Sequence, residues 1–83
     1  MSHNTFLDNE SRARAKKFFP ARLKELRLAA GLTQFELGLK LGVASDKIGN
    51  WERGCYIPRK RYLQKIAAVF NVRIEDLIGA EID

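Results

Sequence analysis

Two short segments with helical spacing lie almost end to end near the middle of the chain. The first, TQFELGLKLG (33–42), begins with a capping box, in which the Thr33 hydroxyl can accept a hydrogen bond from the Glu36 amide while the Glu36 carboxylate accepts one from the Thr33 amide. It ends at Gly42, because glycine commonly terminates helices. The second, SDKIGNWERG (45–54), begins after only two more residues. We therefore predict two short helices that cross at a tight turn.

Two short helices joined by a tight turn that contains glycine make a helix-turn-helix pattern. Gly38 lies in the interior of the first of these helices, where glycine costs about 1 kcal/mol relative to alanine. A steric reason would explain why glycine occupies this position. We expect the following helix to pass so close to Gly38 that a side chain would meet it.

Helical spacing of apolar residues continues on both sides of the central pair. Pro20 suits the first position of a helix, and apolar side chains follow it at intervals of three and four residues up to Ala30. No segment alternates with period two for long enough to predict a sheet. The chain is therefore predicted to be an all-α, compact domain of five helices. The three helices outside the central pair are predicted at Pro20–Ala30, at Arg59–Phe70 and in EDLIG (75–79).

Charge is distributed unevenly along the chain. The net charge is +5, but 14 basic and 6 acidic side chains precede Arg73, whereas the tail from Arg73 holds one basic and four acidic residues. Four of the basic residues fall in SRARAKKFF (11–19), which is either a frayed helical turn or a flexible arm. A basic body indicates a polyanionic partner, most often nucleic acid. Composition alone is equally compatible with a basic protein that binds no polyanion.

Several other classes of protein are disfavoured by what the sequence contains. Cys55 is the single cysteine, so the chain offers no intrachain disulfide, and we expect a reducing, cytoplasmic location. No apolar run approaches the roughly 20 residues that span a membrane, and MSHNTFLDNE (1–10) lacks the pattern of a signal peptide. No metal-ligand cluster, P-loop or catalytic set of residues is apparent. We therefore expect neither an enzyme nor a cofactor.

The order of motifs resembles the XRE-type helix-turn-helix family, which has the fold of lambdoid phage repressors and Cro proteins. The resemblance rests on LKELRLAAGLTQFELGLKLGV, then IGNWERGCYIP, then YLQKIAAVFNVRIEDLI, and it covers roughly Phe19 to Ile78. Its signals are Gly-Leu-Thr-Gln before the second helix, a glycine turn, Ile-x-x-Trp-Glu-x-Gly and a proline four residues later. Each signal is weak alone, but together and in this order they are strong.

The resemblance implies five helices, of which the second lies across the DNA backbone and the third lies in the major groove. It implies that Gln34 contacts a phosphate and steadies the third helix. It also implies that Arg27 and Glu52 form an ion pair between the first and third helices. We expect a division into three parts: a flexible basic lead (1–18), the helix-turn-helix DNA-binding domain (19–79) and a short acidic tail (80–83).

The chain departs from the family pattern around its third helix. Ala44 replaces the usual hydroxyl residue before this helix, so we expect Ser45 to cap it instead, which would move the helix start by one residue. Asp46 is acidic where the family often carries a neutral or basic residue. Gly49 replaces a longer side chain, and Arg59 adds charge after the proline.

The third helix has one thin apolar edge and one wide polar face. On a helical wheel, Ile48 and Trp51 share one side, and the opposite side carries short polar groups that suit hydrogen bonding to base edges. An ordinary solvated helix face is the alternative, and Asp46 could instead stabilise the first turn through the helix dipole. The predicted base-reading residues are Ser45, Asp46, Lys47, Gly49 and Asn50.

Basic and polar residues around this helix are candidates for contacts with phosphates, which supply salt-dependent affinity without reading the sequence. For each lysine and arginine separately, a solvated surface position is an equally good interpretation. The predicted phosphate-contacting residues are Gln34, Lys40, Arg53, Tyr56, Arg59 and Lys60.

These features predict a sequence-specific transcriptional regulator, a repressor that binds a palindromic operator in double-stranded DNA as a homodimer. We expect Ile78 and Ile82, with Leu77, to form the dimer contact. The alternative is an antitoxin-like module that holds a protein partner and binds DNA secondarily. That alternative needs a second apolar surface, which Ile78 and Ile82 could also supply.

Overall fold

The computed structural model describes residues 9–79, and this part of the chain is all helical, without a strand. The predicted all-α, five-helix fold is confirmed. Residues 1–8 of the predicted lead and the predicted tail, 80–83, lie outside the described residues. None of the described helices is long and apolar enough to cross a membrane. The helices are α1 (Asn9–Ala29), α2 (Gln34–Leu41), α3 (Ser45–Glu52), α4 (Lys60–Phe70) and α5 (Ile74–Ile78).

Helix α1 is much longer than the sequence pattern predicts. It begins at Asn9 and continues through Pro20, so the predicted start at Pro20 is wrong, and the described part of the expected flexible lead is helical. A proline inside a helix removes one hydrogen bond and usually costs about 3 kcal/mol. Ala15 and Phe19 compensate, because both are completely buried in the core. They continue the four-residue spacing of Leu23 in the N-terminal direction.

The core receives apolar side chains from all five helices. Trp51 is its largest fully buried residue, and the centre of its ring lies 5.6 Å from that of Tyr62 in α4. Helix α1 packs against α3 and α5, α2 packs against α3 and α4, and α4 packs against α5. The fully buried large side chains are Phe19, Leu23, Leu37, Leu41, Ile48, Trp51, Leu63, Ile66 and Leu77.

The turn between α2 and α3 explains Gly38. The amides of Gly42 and Val43 both donate to the Gly38 carbonyl, at 2.7 and 2.9 Å, and Gly42 adopts the left-handed conformation with φ 77°. A Cβ at Gly38 would lie 2.5 Å from the Val43 carbonyl oxygen. The close approach is therefore made by the backbone of the turn, where we had expected the body of α3. The capping box predicted at the start of α2 is also present: the Glu36 amide donates to the Thr33 hydroxyl at 3.0 Å, and the Thr33 amide donates to the Glu36 carboxylate at 2.8 Å.

Helix α5 closes the fold by packing against α1. Leu77 and Ile78 are 0% and 4% exposed, so the predicted dimer contact through these two residues is wrong. Ile82, the third member of that contact, lies outside the described residues. Gly79 ends α5 with φ 72°, and a Cβ there would lie 2.8 Å from Cγ of Phe18. The apolar residues of this segment therefore complete the core of one chain.

Candidate nucleic-acid interface

Helix α3 begins at Ser45, directly after an alanine in the capping position. Ala44 has the extended backbone of an N-cap but offers no side-chain hydrogen bond, and its carbonyl accepts from the Lys47 amide at 3.0 Å. The expectation that Ser45 caps the helix is therefore wrong. An alanine cap costs about 1 kcal/mol relative to a hydroxyl residue. Asp46 lies in the first turn, where an acidic side chain offsets part of this loss through the helix dipole.

A buried ion pair joins α3 to α1. Arg27 donates from Nε to Oε2 of Glu52 at 2.6 Å and from Nη2 to Oε1 at 3.0 Å, and the two side chains are only 9% and 5% exposed. The third donor of Arg27, Nη1, binds the Leu32 carbonyl at 2.9 Å. Hydrogen bonding to Glu52 raises the pKa of Arg27, outweighing the burial that lowers it. The structure thus brings together the pair that the sequence resemblance implied.

Gln34 connects α2 to the same carboxylate. Its Nε2 donates to Oε1 of Glu52 at 3.1 Å, so the first residue of α2 is tied to the last residue of α3. The structure therefore couples Gln34 to α3, as the resemblance implied. Glu52 therefore accepts hydrogen bonds from both α1 and α2, and these bonds tie the end of α3 to the end of α1 and to the start of α2.

Gly49 does not lie on the outward face of α3. It is buried, and a Cβ there would lie 3.1 Å from Nη1 of Arg53 and 3.6 Å from Oε1 of Gln34. The prediction that Gly49 faces the DNA is therefore wrong, because the start of α2 leans against this side of α3. The glycine leaves room for the Gln34 and Arg53 side chains.

The outward face of α3 carries Ser45, Asp46 and Asn50. Asp46 is exposed, whereas Ser45 and Asn50 are half-buried at the edge of the helix. Asn50 Oδ1 accepts a short hydrogen bond from Nη2 of Arg53 and a long one, 3.8 Å, from the Cys55 thiol. These contacts orient the amide and leave its Nδ2 donor pointing away from Arg53. Sequence reasoning missed Cys55, although a residue five positions after Asn50 is within reach once the helix ends.

Lys47, one of the predicted base-reading residues, extends towards Tyr62 of α4. Its Nζ lies 5.8 Å from the centre of the Tyr62 ring, and Arg61 and Lys65 lie 5.0 and 5.6 Å from the same centre. Hydrogen bonding and charge from Arg61, with smaller effects of Lys47 and Lys65, lower the pKa of Tyr62. The i, i+3 spacing of Tyr62 and Lys65 was visible in the sequence, but the contact with Lys47 depends on how α3 and α4 pack.

The predicted phosphate-contacting residues fall into separate places. Tyr56 and Arg59 line one cleft with Lys47, between α3 and the start of α4. Lys60 is exposed at the first position of α4, and Arg53 is exposed at the end of α3. Lys40 is exposed in the last turn of α2, on a different element from the cleft.

Metal ligands are not grouped in this region. Within residues 9–79, no set of three or more histidine, cysteine, aspartate or glutamate side chains is placed to hold a metal ion. The buried carboxylate, Glu52, is fully engaged with Arg27 and Gln34. The chemistry that the site offers is hydrogen bonding and positive charge.

Comparison with known proteins identifies the arrangement. A helix-turn-helix family model matches residues 23–77. An uncharacterized HTH-type transcriptional regulator of Archaeoglobus fulgidus is 50% identical over 56 residues, which are 68% of this chain and 80% of that protein.

Two solved structures have a similar fold. The SOS-response transcriptional repressor LexA from Eubacterium rectale matches with a TM-score of 0.73 and 30% identity over 83% of this chain and 77% of that one. The restriction-modification controller protein C.AhdI from Aeromonas hydrophila matches with a TM-score of 0.67 and 31% identity over 78% of this chain and 96% of that one. With the family match and the geometry of α2 and α3, the chain belongs to the XRE-type helix-turn-helix family of DNA-binding transcriptional regulators.

Proposed function

We propose that the chain regulates transcription by reading a specific sequence in the major groove with α3. The observation that carries this proposal is the asymmetry of α3. Its inner edge is anchored by Ile48 and Trp51 in the core and by the bonds of Glu52, and its outer edge carries small polar groups. A rigidly held helix with a polar outer edge is what direct readout of bases requires.

Three residues of α3 remain as base readers. Asn50 can pair with adenine through both its amide oxygen and its amide nitrogen, with the adenine amino group taking the place of the long bond from the Cys55 thiol while the bond from Arg53 is kept. Ser45 can bond to several bases, and Asp46 can accept from cytosine N4. We assign the sequence preference to these three side chains and leave Gly49 out.

Phosphate contacts would set the register of α3 without reading bases. Gln34 is well placed for this role because Glu52 holds its amide beside α3. The remaining proposed phosphate-contacting residues are Lys40, Arg53, Tyr56, Arg59 and Lys60.

We further propose that the chain acts as a repressor and binds DNA as a homodimer. LexA is described as a repressor, which supports the first part. A single α3 contacts one half-site, so a two-fold symmetric dimer would recognise a palindrome with half-sites roughly 34–36 Å apart. The dimer surface must differ from Leu77 and Ile78, because these residues are buried.

A protein-interaction role of the antitoxin type is the second candidate, and one observation favours it. Phe35 and Leu39 lie four residues apart on α2 and are 63% and 67% exposed. Paired exposed apolar side chains on one helix face are typical of a protein-binding surface. This role would be favoured if a second protein co-purifies stably with the chain and the variants Phe35→Ser and Leu39→Ser release it. The chain itself should then bind duplex DNA only weakly.

Selection of bound sites from random duplex DNA tests the leading proposal. We expect enrichment of one sequence with two-fold symmetry, and we expect the affinity for it to fall steeply with salt. Binding without any enriched sequence would contradict direct readout by α3. Enrichment of an asymmetric single site would contradict the dimer but leave the reading by α3 intact.

A further inference from the structure

The outward face of α1 carries a second regular pattern of residues. On the side of this helix opposite the core, residues recur at alternating intervals of three and four, which is the heptad spacing of a coiled-coil seam. The first of the six is half-buried and the other five are exposed. The pattern covers about 25 Å of the helix axis. It is termed the heptad stripe, and its residues are Ser11, Arg14, Phe18, Ala21, Glu25 and Leu28.

The heptad stripe contains exposed apolar side chains and a groove. Phe18 and Leu28 are 42% and 57% exposed. Beside Phe18 lies a groove of about 430 Å³, whose walls include Phe18, Ala21, Arg22 and Glu25. These four residues are spaced i, i+3, i+4 and i+7 on one helix. In a coiled coil, four such residues form the hole that receives one side chain from the facing helix. The groove therefore has the arrangement that accepts a side chain from a second helix.

The heptad stripe is complementary to itself in the antiparallel direction. When two α1 helices are paired antiparallel, Phe18 faces Ala21 of the second copy, so a large side chain meets a small one. In the same register, Arg14 faces Glu25 of the second copy, so a cation meets an anion. Complementarity of both size and charge is what an interface between identical surfaces requires.

One two-fold axis produces all of these pairings together. The axis passes level with the midpoint between Phe19 and Pro20, and it also brings Ser11 opposite Leu28 at each end of the stripe. The proline does not obstruct the pairing, because its ring lies on another side of α1. A Cβ at Gly54, in the turn after α3, would lie 3.4 Å from Cγ of Pro20.

We propose that a second copy of this chain occupies the heptad stripe, so that two α1 helices pack antiparallel and form the homodimer. The proposal rests on the proposed function, because it assigns the surface of the dimer that recognises a palindrome. Phe18 of each copy enters the groove beside Ala21 of the other. Four of the six stripe residues precede Leu23, where the family-model match begins. The dimer surface therefore depends on the N-terminal turns of α1, outside the matched residues.

Exposed lysines limit the strength of this pairing. Lys17 and Lys24 flank the heptad stripe on one side, and Lys17 of one copy lies near Lys24 of the other in the antiparallel register. Charge pairs at an exposed rim contribute little in either direction. We therefore expect a reversible dimer, which a palindrome strengthens by holding two copies side by side.

Charge reversal tests the register of the two helices. Arg14→Glu and Glu25→Arg should each weaken dimerisation by roughly tenfold in sedimentation equilibrium, because each places like charges opposite one another at two places in the dimer. The double variant restores opposite charges, so it should dimerise about as well as the parent chain. Arg12→Glu is the matched control. It makes the same charge change at an exposed residue of α1 that lies off the stripe, beside Cys55, and it should dimerise like the parent.

A neutral variant links the heptad stripe to DNA binding. Ala21→Gln fills the groove without changing the charge of the chain. We expect this variant to lose cooperative binding to a duplex with both half-sites and to keep the parent affinity for a duplex with one half-site. Ala13→Gln is the matched control, because Ala13 is an exposed alanine of α1 off the stripe, and it should keep both properties. Circular dichroism checks that α1 is still helical in every variant.

The outcomes separate this interface from the function on which it rests. If the parent dimerises and the charge-reversed chains and Ala21→Gln dimerise equally well, another surface forms the dimer and the proposed function stands. A double variant that is helical but does not recover dimerisation would overturn the antiparallel register. A different protein retained by the chain and released by Ala21→Gln would overturn the second copy as the occupant.

Sedimentation needs no DNA, so it tests the heptad stripe independently of base reading. If the chain stays monomeric in solution and also binds a palindrome as a single copy, this interface and the proposed homodimer both fail, whereas reading by α3 stands. If the chain dimerises through the stripe but selection enriches no sequence, the interface stands and reading by α3 fails.

Discussion

Removing one member of the Arg27–Glu52 pair should destabilise the fold strongly. Arg27→Met would leave the Glu52 carboxylate buried, with Gln34 as its remaining hydrogen-bond donor, at 3.1 Å. Glu52→Leu would leave the Arg27 guanidinium buried, with the Leu32 carbonyl as its remaining acceptor. Stranding a buried charge in this way costs about 3–5 kcal/mol. We expect each single change to cost an amount in this range.

The double variant should be more stable than either single variant. With both charges removed, no buried ion is left without its partner, and well-packed apolar replacements of a buried pair are often nearly neutral. A domain of this size has a total stability of roughly 4–12 kcal/mol, so each single change removes a large share of it. The coupling between the two positions should therefore exceed the 0.5–3 kcal/mol that is usual for contacting residues.

A denaturation cycle on four chains measures this coupling. Urea unfolding at neutral pH can be followed by the fluorescence of Trp51, and an osmolyte such as sucrose can keep the single variants folded. Glu25→Gln is the control, because Glu25 pairs with Arg22 on an exposed surface, where an ion pair contributes at most about 1 kcal/mol. If the two single effects add to within about 0.5 kcal/mol, Arg27 and Glu52 do not interact as the structure describes.

Three further outcomes are expected. Asn50→Ala should leave folding nearly unchanged, cost about 1–3 kcal/mol of binding free energy and relax the preference at one base pair per half-site. Lys60→Ala should instead weaken binding to all duplexes alike and lower the salt slope of binding by about 1. If Asn50→Ala weakens binding to enriched and random DNA equally, Asn50 contacts the DNA backbone. Gly38→Ala should destabilise the protein by about 1–2 kcal/mol in thermal unfolding, because the clash with the turn outweighs the roughly 1 kcal/mol gained in helix propensity. If this variant is more stable than the parent chain, the turn can shift to accommodate the added methyl group. Alkaline titration followed by tyrosinate absorbance should show that Tyr62 ionises below pH 10, because its cationic neighbours lower its pKa. This ionisation step should be absent in Tyr62→Phe. If it remains in that variant, it does not belong to Tyr62.

The central part of the fold follows from local rules. Thr33 and Glu36 form their capping box within four residues, and Gly42 ends α2 with a conformation that glycine adopts without strain. The close approach at Gly38 was also expected, although the atoms that make it belong to the turn. These features depend on residues that are close together in the sequence, so they can be predicted from the sequence alone.

The errors arise where packing overrides a local rule. Pro20 is a good first residue for a helix, but the burial of Ala15 and Phe19 before it and of Leu23 after it stabilises the helix on both sides of the proline. Ile78 looked available for a dimer because the sequence alone could not show that α5 packs against α1. Gly49 was assigned to the outer face of α3 from a helical wheel, which does not include α2. For the same reason the wheel could not show that Lys47 approaches Tyr62 of α4.

The exposed thiol of Cys55 is a site for chemical labelling beside Asn50, one of the proposed base-reading residues. Cys55 is the only cysteine in the chain, and its Sγ lies 3.8 Å from Oδ1 of Asn50. A cleavage reagent or photo-crosslinker attached there would report which base pairs lie next to the end of α3, and so the direction in which α3 runs along the groove. A bulky adduct would disturb the bond between Asn50 and Arg53, so alkylation of this one atom should also act as an artificial off-switch for operator binding.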